Sequence, residues 1–325
     1  MPSFCRHGRL EANCPICSKK AAASTTPARP ARRPSAPRPV SSSQPSIAAR
    51  RRASRGAGDL RVRRMARAAD DGYDHELVPG IRATADGALL ADELAFSMAR
   101  LAQVRDDPPG LYAEVALADD AEEALWLAFL VAHLGPLQAD DPWASIAAVR
   151  VPWGTGEVPD LAGAATGPRG SGDARTPPAY RAWAGRAGSQ QAALGGDPSW
   201  APERRFDRAF ERLALPGFGR AQRYELLALL RHLGVLDVRP TSLQLTAEPM
   251  DATVVAAKRV FGIGEATELR RRAARLASEL DVPIEALDLA LVNFNRPPNQ
   301  PRITAGATAE PDPAVRARLG GVLGA

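Results

Sequence analysis

The chain has 325 residues, of which 45% are hydrophobic and 24% are charged, so it can bury the core of one large domain or of two ordinary ones. Its net charge of +5 hides an asymmetry, because residues 1–69 carry 16 lysines and arginines against 2 acidic residues, and the remainder carries 26 against 35. This distribution excludes a uniformly basic DNA-coating protein and leaves open a basic arm on an acidic body. No apolar run reaches the roughly 18 residues that span a bilayer, and the first ten residues lack the apolar core of a signal peptide. We therefore expect a soluble, cytoplasmic protein.

All three cysteines lie within the first 20 residues. Cys5, His7, Cys14 and Cys17 follow the pattern C-x-H-x6-C-x2-C, which offers three thiolates and one imidazole to a tetrahedral zinc ion. Four protein ligands leave no open position on the metal, so this pattern favours structural zinc over catalytic zinc. Residues 1–20 are therefore predicted to form a zinc-knuckle-like module, and three unrelated surface thiols are the alternative.

Residues 21–58 consist mostly of Ala, Pro, Ser and Arg and show no apolar period. Such a segment cannot bury enough surface to offset its ordering entropy, which predicts a disordered basic linker. It would either contact phosphates through its arginines or serve as a solvated tether. Next, LRVRRMARA and YDHELVPGI, on either side of Asp70–Gly72, predict two short strands around a turn.

The remainder of the chain has the periodicity of helices. Leu94 and Leu101 recur at helical spacing, and residues 124–134 are apolar on all sides, which predicts a helix at the centre of a bundle. The stretch 152–200 is rich in glycine and proline and predicts a long loop with one short helix around Tyr180–Trp183.

Further amphipathic helices follow from apolar residues at the spacing i, i+3, i+4 and i+7. Asp251 and Asp281 are predicted helix starts, the latter because Pro283 follows it closely. The side chains expected to be buried are Phe206, Ala209, Phe210 and Leu213; Leu226, Leu227, Leu230 and Leu233; Val254, Val255 and Phe261; Leu269, Leu276 and Leu280; and Ile284, Leu287, Leu291 and Phe294.

The string LPGFGR lies between two of these helices. Its glycines permit a tight turn with positive φ and a close approach of the backbone to a partner. The helix that follows presents N–H groups that can bind a phosphate without reading sequence, although an ordinary helix end and turn is the alternative. The candidate DNA contacts are Leu215, Pro216, Gly217, Phe218, Gly219 and Arg220.

This string resembles the L-P-G-(V/I/F)-G helix-hairpin-helix motif of the DNA glycosylase superfamily, in which a catalytic aspartate follows, often within D-T-H-V-x-R-V. Here DATVVAAKRVFGIG begins at Asp251 and keeps the acid, Val254 and the pair Arg259–Val260, with Thr253 in place of the histidine. The resemblance implies that Asp251 is catalytic. The alternative is a helix N-cap, which needs only a side-chain oxygen, and one residue can serve both purposes.

A longer run, from about Arg181 to Phe294, is similar to the α-glutamyl/putrescinyl thymine pyrophosphorylase family, clade 3 type. It contains RAGSQ, PERRFDRAFERLALPGFGRAQRYELL, AKRVFGIGEATELRRRAARLA and VPIEALDLALVNF, and the cysteine-rich start is also similar. The resemblance implies a mainly α, helix-hairpin-helix glycosylase-like domain, which we place at residues 59–298, with a C-terminal tail at 299–325. It implies a transferase that replaces pyrophosphate on 5-pyrophosphoryloxymethyl-uracil in DNA with an amine of the glutamate or putrescine type.

That chemistry needs a base and a positive charge near the leaving pyrophosphate. Asp251 is the candidate base that takes a proton from the amine. Lys258, two helical turns further on, is the candidate that stabilises departing pyrophosphate, with an ordinary surface lysine as the alternative. Gln190 and Gln191 are weaker candidates for contact with an extruded base. Ala221 and Gln222 stand where bifunctional glycosylases have a Schiff-base lysine, which disfavours a glycosylase-lyase.

Two other functions fit the same residues. A monofunctional DNA glycosylase would use Asp251 to support a developing oxocarbenium ion or to activate water. A non-enzymatic DNA-binding module would use the glycine-rich string and the basic arm, with Asp251 only a cap.

Overall fold

The computed structural model describes residues 68–248 and 250–325. The predicted zinc module (1–20) and basic linker (21–58) lie outside these ranges. The described chain is mainly helical and contains no strand, which confirms the mainly α class. None of its helices combines the length and the apolar character that crossing a membrane requires.

Twelve α-helices and one short 3-10 helix, Trp153–Thr155, occur in the described ranges. In chain order the α-helices are α1 (Thr84–Asp106), α2 (Leu111–Leu117), α3 (Ala121–Leu134), α4 (Ala144–Val149), α5 (Thr176–Ala187), α6 (Gln190–Gly195), α7 (Pro202–Arg212), α8 (Arg220–His232), α9 (Ala252–Phe261), α10 (Ala266–Leu280), α11 (Ile284–Phe294) and α12 (Pro313–Leu323).

Helix α3 lies at the centre of the core. Every residue from Ala124 to Leu134 is buried, as its uninterrupted apolar sequence predicts. The ring of Phe129 is stacked 3.9 Å from Tyr180 of α5 and lies 5.3 Å from Phe218, centroid to centroid. Phe218 belongs to the turn between α7 and α8, so the core supports that turn from beneath.

Helix α1 packs against α11 and α12. Leu319 and Leu323 of α12 are fully buried, and the Tyr73 hydroxyl donates to the Leu323 carbonyl at 2.5 Å. Residues 299–325, which the sequence set apart as a tail, therefore end in a helix that is packed on the body of the domain.

The described part of the predicted strand pair contains turns and no strand, so that prediction is wrong there. The Asp71 carboxylate accepts from the N–H groups of Tyr73 and Thr84, at 3.1 Å and 3.0 Å. Local side-chain acceptors of this kind compete with a strand ladder for backbone donors. Tyr73, Val78 and Ile81 are buried against the helices instead of pairing along a strand.

The glycine- and proline-rich stretch 152–200 holds more structure than the one short helix predicted. It contains the 3-10 turn, α5 and α6, and the Arg181 guanidinium packs 4.5 Å and 4.4 Å from the rings of Trp126 and Trp153. Proline often indicates a loop, yet Pro177 lies in the first turn of α5. Backbone N–H groups there have no partner within the helix, so the missing N–H of proline costs nothing.

Most of the predicted apolar faces are buried as expected, with a few differences. Val255 is 41% exposed, and Leu233 and Ile284 are only partly buried. Asp281 is not a helix start, because it has a φ of +51° and ends α10. The N-cap of α11 is Pro283.

Candidate functional site

Residues 213–219, here called the glycine turn, join α7 to α8. Gly217 has a φ of +72°, which glycine adopts without strain, and Gly219 is the N-cap of α8. Phe218 between them is 2% exposed and lies 6.1 Å from the ring of His133. The aromatic core therefore holds the turn rigidly while its backbone remains at the surface.

Backbone donors collect where the glycine turn enters α8. The Gly219 N–H donates to the Gln222 side-chain oxygen at 3.0 Å, and the amide nitrogen of that side chain donates to the Arg169 carbonyl at 2.5 Å. Within the described chain, the N–H groups of Arg220, Ala221 and Gln222 have no acceptor. Such unpaired donors at a helix start are those that a phosphate accepts from. A shallow pocket beside them is lined by Gly170, Ser171, Leu215, Gly217, Phe218, Gly219 and Gln222.

A neighbouring segment that the sequence did not implicate lies against the glycine turn. The Thr176 hydroxyl donates to the Pro216 carbonyl at 2.7 Å, and Asp173 touches Gly217. The Arg175 guanidinium binds Asp173 at 2.6 Å and holds the pKa of that carboxyl well below its usual range. The Arg175 side chain is exposed, so a phosphate that approached the turn would meet its guanidinium group beside the ion-paired carboxylate of Asp173.

Arg220 does not point toward a ligand. Its side chain is fully buried, and its guanidinium donates to the Asp251 carboxylate at 3.0 Å and to the Asp288 carboxylate at 2.6 Å. It also donates to the Leu243 carbonyl at 2.8 Å. Of the predicted DNA contacts, Arg220 and Phe218 can therefore offer only backbone atoms, since both side chains are buried.

Asp288 of α11 completes this cluster, and the sequence analysis missed it. Its carboxylate accepts from Arg220, from the Thr253 hydroxyl at 3.1 Å, and from Arg169. Burial raises the pKa of Asp288, but the two guanidinium groups outweigh burial and lower it to about 2. An aspartate among the apolar residues LDLAL was the available signal, because buried charges require partners.

Asp251 is the N-cap of α9, as the simpler interpretation predicted. One carboxylate oxygen accepts from the Val254 N–H and the other from Arg220, both at 3.0 Å. The side chain is only 8% exposed. A carboxylate has about four lone-pair positions, so two remain after these bonds. Because Arg220 is the first residue of α8, this carboxylate lies directly behind the glycine turn.

Thr253, which stands at the family's histidine position, has a structural explanation. Its hydroxyl accepts from Arg220 at 2.6 Å and donates to Asp288 at 3.1 Å. The residue is 1% exposed, so a small hydroxyl fills a buried place between the two charges.

The remaining candidates lie apart from Asp251. Lys258 is exposed, and the helical rise separates it from Asp251 by about 10 Å along α9. Gln190 is fully buried, where it accepts from the Tyr180 hydroxyl and donates to the Glu122 carbonyl, so it cannot contact an extruded base. Gln191 is exposed.

Metal ligands and relatives add no further constraint on the site. Within residues 68–248 and 250–325 no group of three or more His, Cys, Asp or Glu side chains could hold a metal ion, and the four predicted zinc ligands lie outside these ranges. Comparison with protein-family models, with curated proteins and with solved structures found no match.

Proposed function

We propose that this chain is a DNA base hypermodification transferase, which replaces pyrophosphate on 5-pyrophosphoryloxymethyl-uracil in DNA with an amine. The observation that carries the proposal is the bond between Arg220 and Asp251, which fixes a carboxylate immediately behind the glycine turn. The proposal includes a structural zinc ion on Cys5, His7, Cys14 and Cys17.

The glycine turn supplies the anchor for the DNA strand in this proposal. The N–H groups at the start of α8 bind one phosphate, and Arg175 binds beside them. The buried side chain of Phe218 holds the turn in place while the target nucleotide rotates out of the base stack. This rotation costs a few kcal/mol. Backbone contacts of this kind position the strand and carry no sequence information.

The reaction needs a negative charge beside the attacking amine. The amine nitrogen bonds to the 5-methylene carbon, the carbon–oxygen bond to pyrophosphate breaks, and pyrophosphate leaves with the bonding electrons. The nitrogen must give up a proton, and a remaining lone pair of Asp251 accepts it. The bonds from Val254 and Arg220 hold that carboxylate in one orientation, which favours a reacting geometry.

Lys258 is assigned to the leaving group. Its ammonium is exposed and has no acidic partner among the described residues, so it is available to a pyrophosphate that extends away from Asp251. Positive charge at that place stabilises the phosphate oxygens as they leave.

A second candidate function, a non-enzymatic DNA-binding module, is favoured by the engagement of both Asp251 oxygens and by the 8% exposure of its side chain. A monofunctional glycosylase is the third candidate, since the same carboxylate would stabilise an oxocarbenium ion. The three functions are distinguished by what remains on the DNA, which is an amine-bearing thymidine for the transferase, an abasic site for the glycosylase, and unchanged DNA for the binding module.

The test compares the full-length wild-type chain with the variant Asp251→Asn on duplex DNA that contains pyrophosphoryloxymethyl-uracil, with glutamate or putrescine present. Asparagine still caps a helix, so the variant keeps the cap, but it also removes one of the two buried carboxylates that face Arg220. Urea unfolding of the variant therefore verifies that it is folded under the conditions of the assay. The matched control is Asp312→Asn, because Asp312 caps α12 by accepting from the Ala314 N–H at 2.8 Å and has no arginine partner in the described chain. Nucleosides are measured by mass spectrometry, and released pyrophosphate is measured by a coupled assay.

We expect a thymidine that carries the amine, together with pyrophosphate, from wild type and Asp312→Asn, and at least about 100-fold less from Asp251→Asn. Free base with an abasic site would replace this proposal with the glycosylase. Tight DNA binding without any product, unchanged by Asp251→Asn, would replace it with the binding module.

A further inference from the structure

A second glycine-containing turn, residues 262–265, joins α9 to α10, and we call it the Ile263 turn. Gly262 has a φ of +79°, so the chain reverses there. The Ile263 side chain is 95% exposed, more than any other large apolar residue of the described chain. Ile263 therefore contributes nothing to the core. Phe218 of the glycine turn differs in this respect, because it is only 2% exposed.

Two other exposed apolar residues lie at the start of α9 and on its outer face, and α9 leads into this turn. Seven large apolar side chains are exposed in the described chain, and three of them lie between residues 250 and 263. Met250 is 84% exposed and Val255 is 41% exposed, at the start of α9 and on its outer face. Single exposed apolar residues are normal, so it is the nearly complete exposure of Ile263 within a turn, and not a contiguous apolar patch, that distinguishes this place.

The charges near the Ile263 turn suit an anionic partner. Residues 252–275 hold six lysines and arginines against two acidic residues, although residues 70–325 as a whole are acidic. Arg272 donates to the Phe261 carbonyl, and its guanidinium lies 3.6 Å from the position of a Cβ on Gly262. Arg271, Arg272 and Arg275 line one pocket, where Arg271 and Arg272 share the Glu268 carboxylate at 2.8 Å and 2.7 Å and Arg275 pairs with Glu76 at 2.9 Å. A phosphate bound there would share these guanidinium groups with the two carboxylates.

Gly264 is not required by the fold. Its φ is not in the left-handed region, and a Cβ there would meet only ordinary contacts, the nearest at 3.6 Å from the Glu268 side chain. A residue without a side chain at this position leaves the backbone beside Ile263 open to a close approach by another molecule.

From these observations we propose that the Ile263 turn is a second contact with duplex DNA, in which Ile263 inserts between stacked bases and the neighbouring arginines bind the flanking phosphates. Apolar side chains that enter a base step unstack it and bend the duplex, and phosphates provide the charge complementarity. This inference rests on the proposed function only in taking DNA as the partner, because insertion needs no chemistry at Asp251.

The test measures binding of the full-length chain to an unmodified duplex that carries 2-aminopurine, whose fluorescence rises when its neighbours unstack. The variants are Ile263→Ser and Ile263→Leu, and the control is Leu117→Ser at the end of α2, where the side chain is 81% exposed. No amine or modified base is present, so the result does not depend on turnover. Urea unfolding of each variant verifies that the fold is unchanged.

We expect wild type, Ile263→Leu and Leu117→Ser to raise the 2-aminopurine fluorescence. Ile263→Ser should not raise it, and it should bind the duplex roughly three- to tenfold more weakly than wild type. The dependence of binding on salt should stay the same, because no charge is removed. Equal fluorescence and affinity for Ile263→Ser and wild type would overturn the inference and leave the transferase proposal standing. A change of oligomeric state in Ile263→Ser without a change in DNA binding would assign the surface to a protein contact. Insertion in this experiment, combined with no amine-bearing thymidine in the separate test of the proposed function, would remove the transferase and keep the DNA contact.

Discussion

At the scale of single residues, the cluster around Arg220 balances two buried cations with two buried anions. Arg220 and Arg169 face Asp251 and Asp288, and all four side chains are less than a tenth exposed. Removing charges from water is costly, so a complete cluster of this kind adds little net stability, whereas an incomplete one is strongly destabilising. The cluster is therefore better understood as a device that fixes the orientation of Asp251 than as a source of stability.

Asp288→Asn tests this interpretation. The substitution leaves Arg169 and Arg220 with one carboxylate between them, and we expect the free energy of unfolding at pH 7 to fall by about 3 to 5 kcal/mol. In the folded chain the pKa of Asp288 is about 2, below its ordinary value of 3.8. Its stabilising contribution is therefore complete above pH 3.8 and is lost as the pH falls toward 2. The difference between wild type and variant should narrow over that interval in urea unfolding experiments.

Asp74→Asn is the control for Asp288→Asn. Asp74 also pairs with an arginine, Arg82, at 3.4 Å, but both side chains are more than half exposed. Exposed pairs contribute about 0 to 1 kcal/mol, so the control should unfold at nearly the wild-type urea concentration. If Asp288→Asn did the same, the buried cluster would not depend on the charge of Asp288.

At the scale of elements, the two turns differ in whether the fold requires their glycine. The glycine turn needs Gly217, whereas the Ile263 turn does not need Gly264. Alanine at Gly217 would need a positive φ and would bring its Cβ to 2.4 Å from the Asp173 Cβ. We expect Gly217→Ala to lose about 1 to 3 kcal/mol of stability and to weaken DNA binding, because the turn must shift. Gly264→Ala meets no such contact and should stay within about 0.5 kcal/mol of wild type in urea unfolding. Equal stability of the two variants would mean that Asp173 moves away from the turn at little cost.

The elements that the sequence predicts are those with local signals. The apolar run of α3 and the periodic face of α7 identify their helices, whereas α5, α6 and α12 carry prolines or glycines that imitate loops. The glycine turn and the cap at Asp251 are likewise local, and both are visible in the sequence. The charge cluster is not, because Arg169 and Asp288 are 119 positions apart and only the tertiary fold places the loop that carries Arg169 against α11.

At the scale of the whole molecule, the proposed DNA binding would fall to two regions of opposite net charge. The first 69 residues carry a net charge of +14 and the remaining residues carry −9, so long-range attraction to DNA would come from the N-terminal segment. The acidic remainder can approach DNA only where its own cations are concentrated, as around the Ile263 turn.

Replacing Arg50, Arg51, Arg52 and Arg55 with glutamine tests this division while keeping the length of the chain. Each phosphate that a cation neutralises contributes about 0.9 to the slope of log affinity against log salt concentration, so four lost contacts lower the slope by at most about 3.6. We expect much weaker binding at low salt, with the fluorescence response of 2-aminopurine retained once the variant is bound. Arg105→Gln is the control, because Arg105 is an exposed arginine that belongs neither to the N-terminal segment nor to the Ile263 turn, and it should leave the slope unchanged. An unchanged slope for the four-arginine variant would mean that these four arginines neutralise no phosphate, and the predicted division of charge would be wrong for this part of the N-terminal segment.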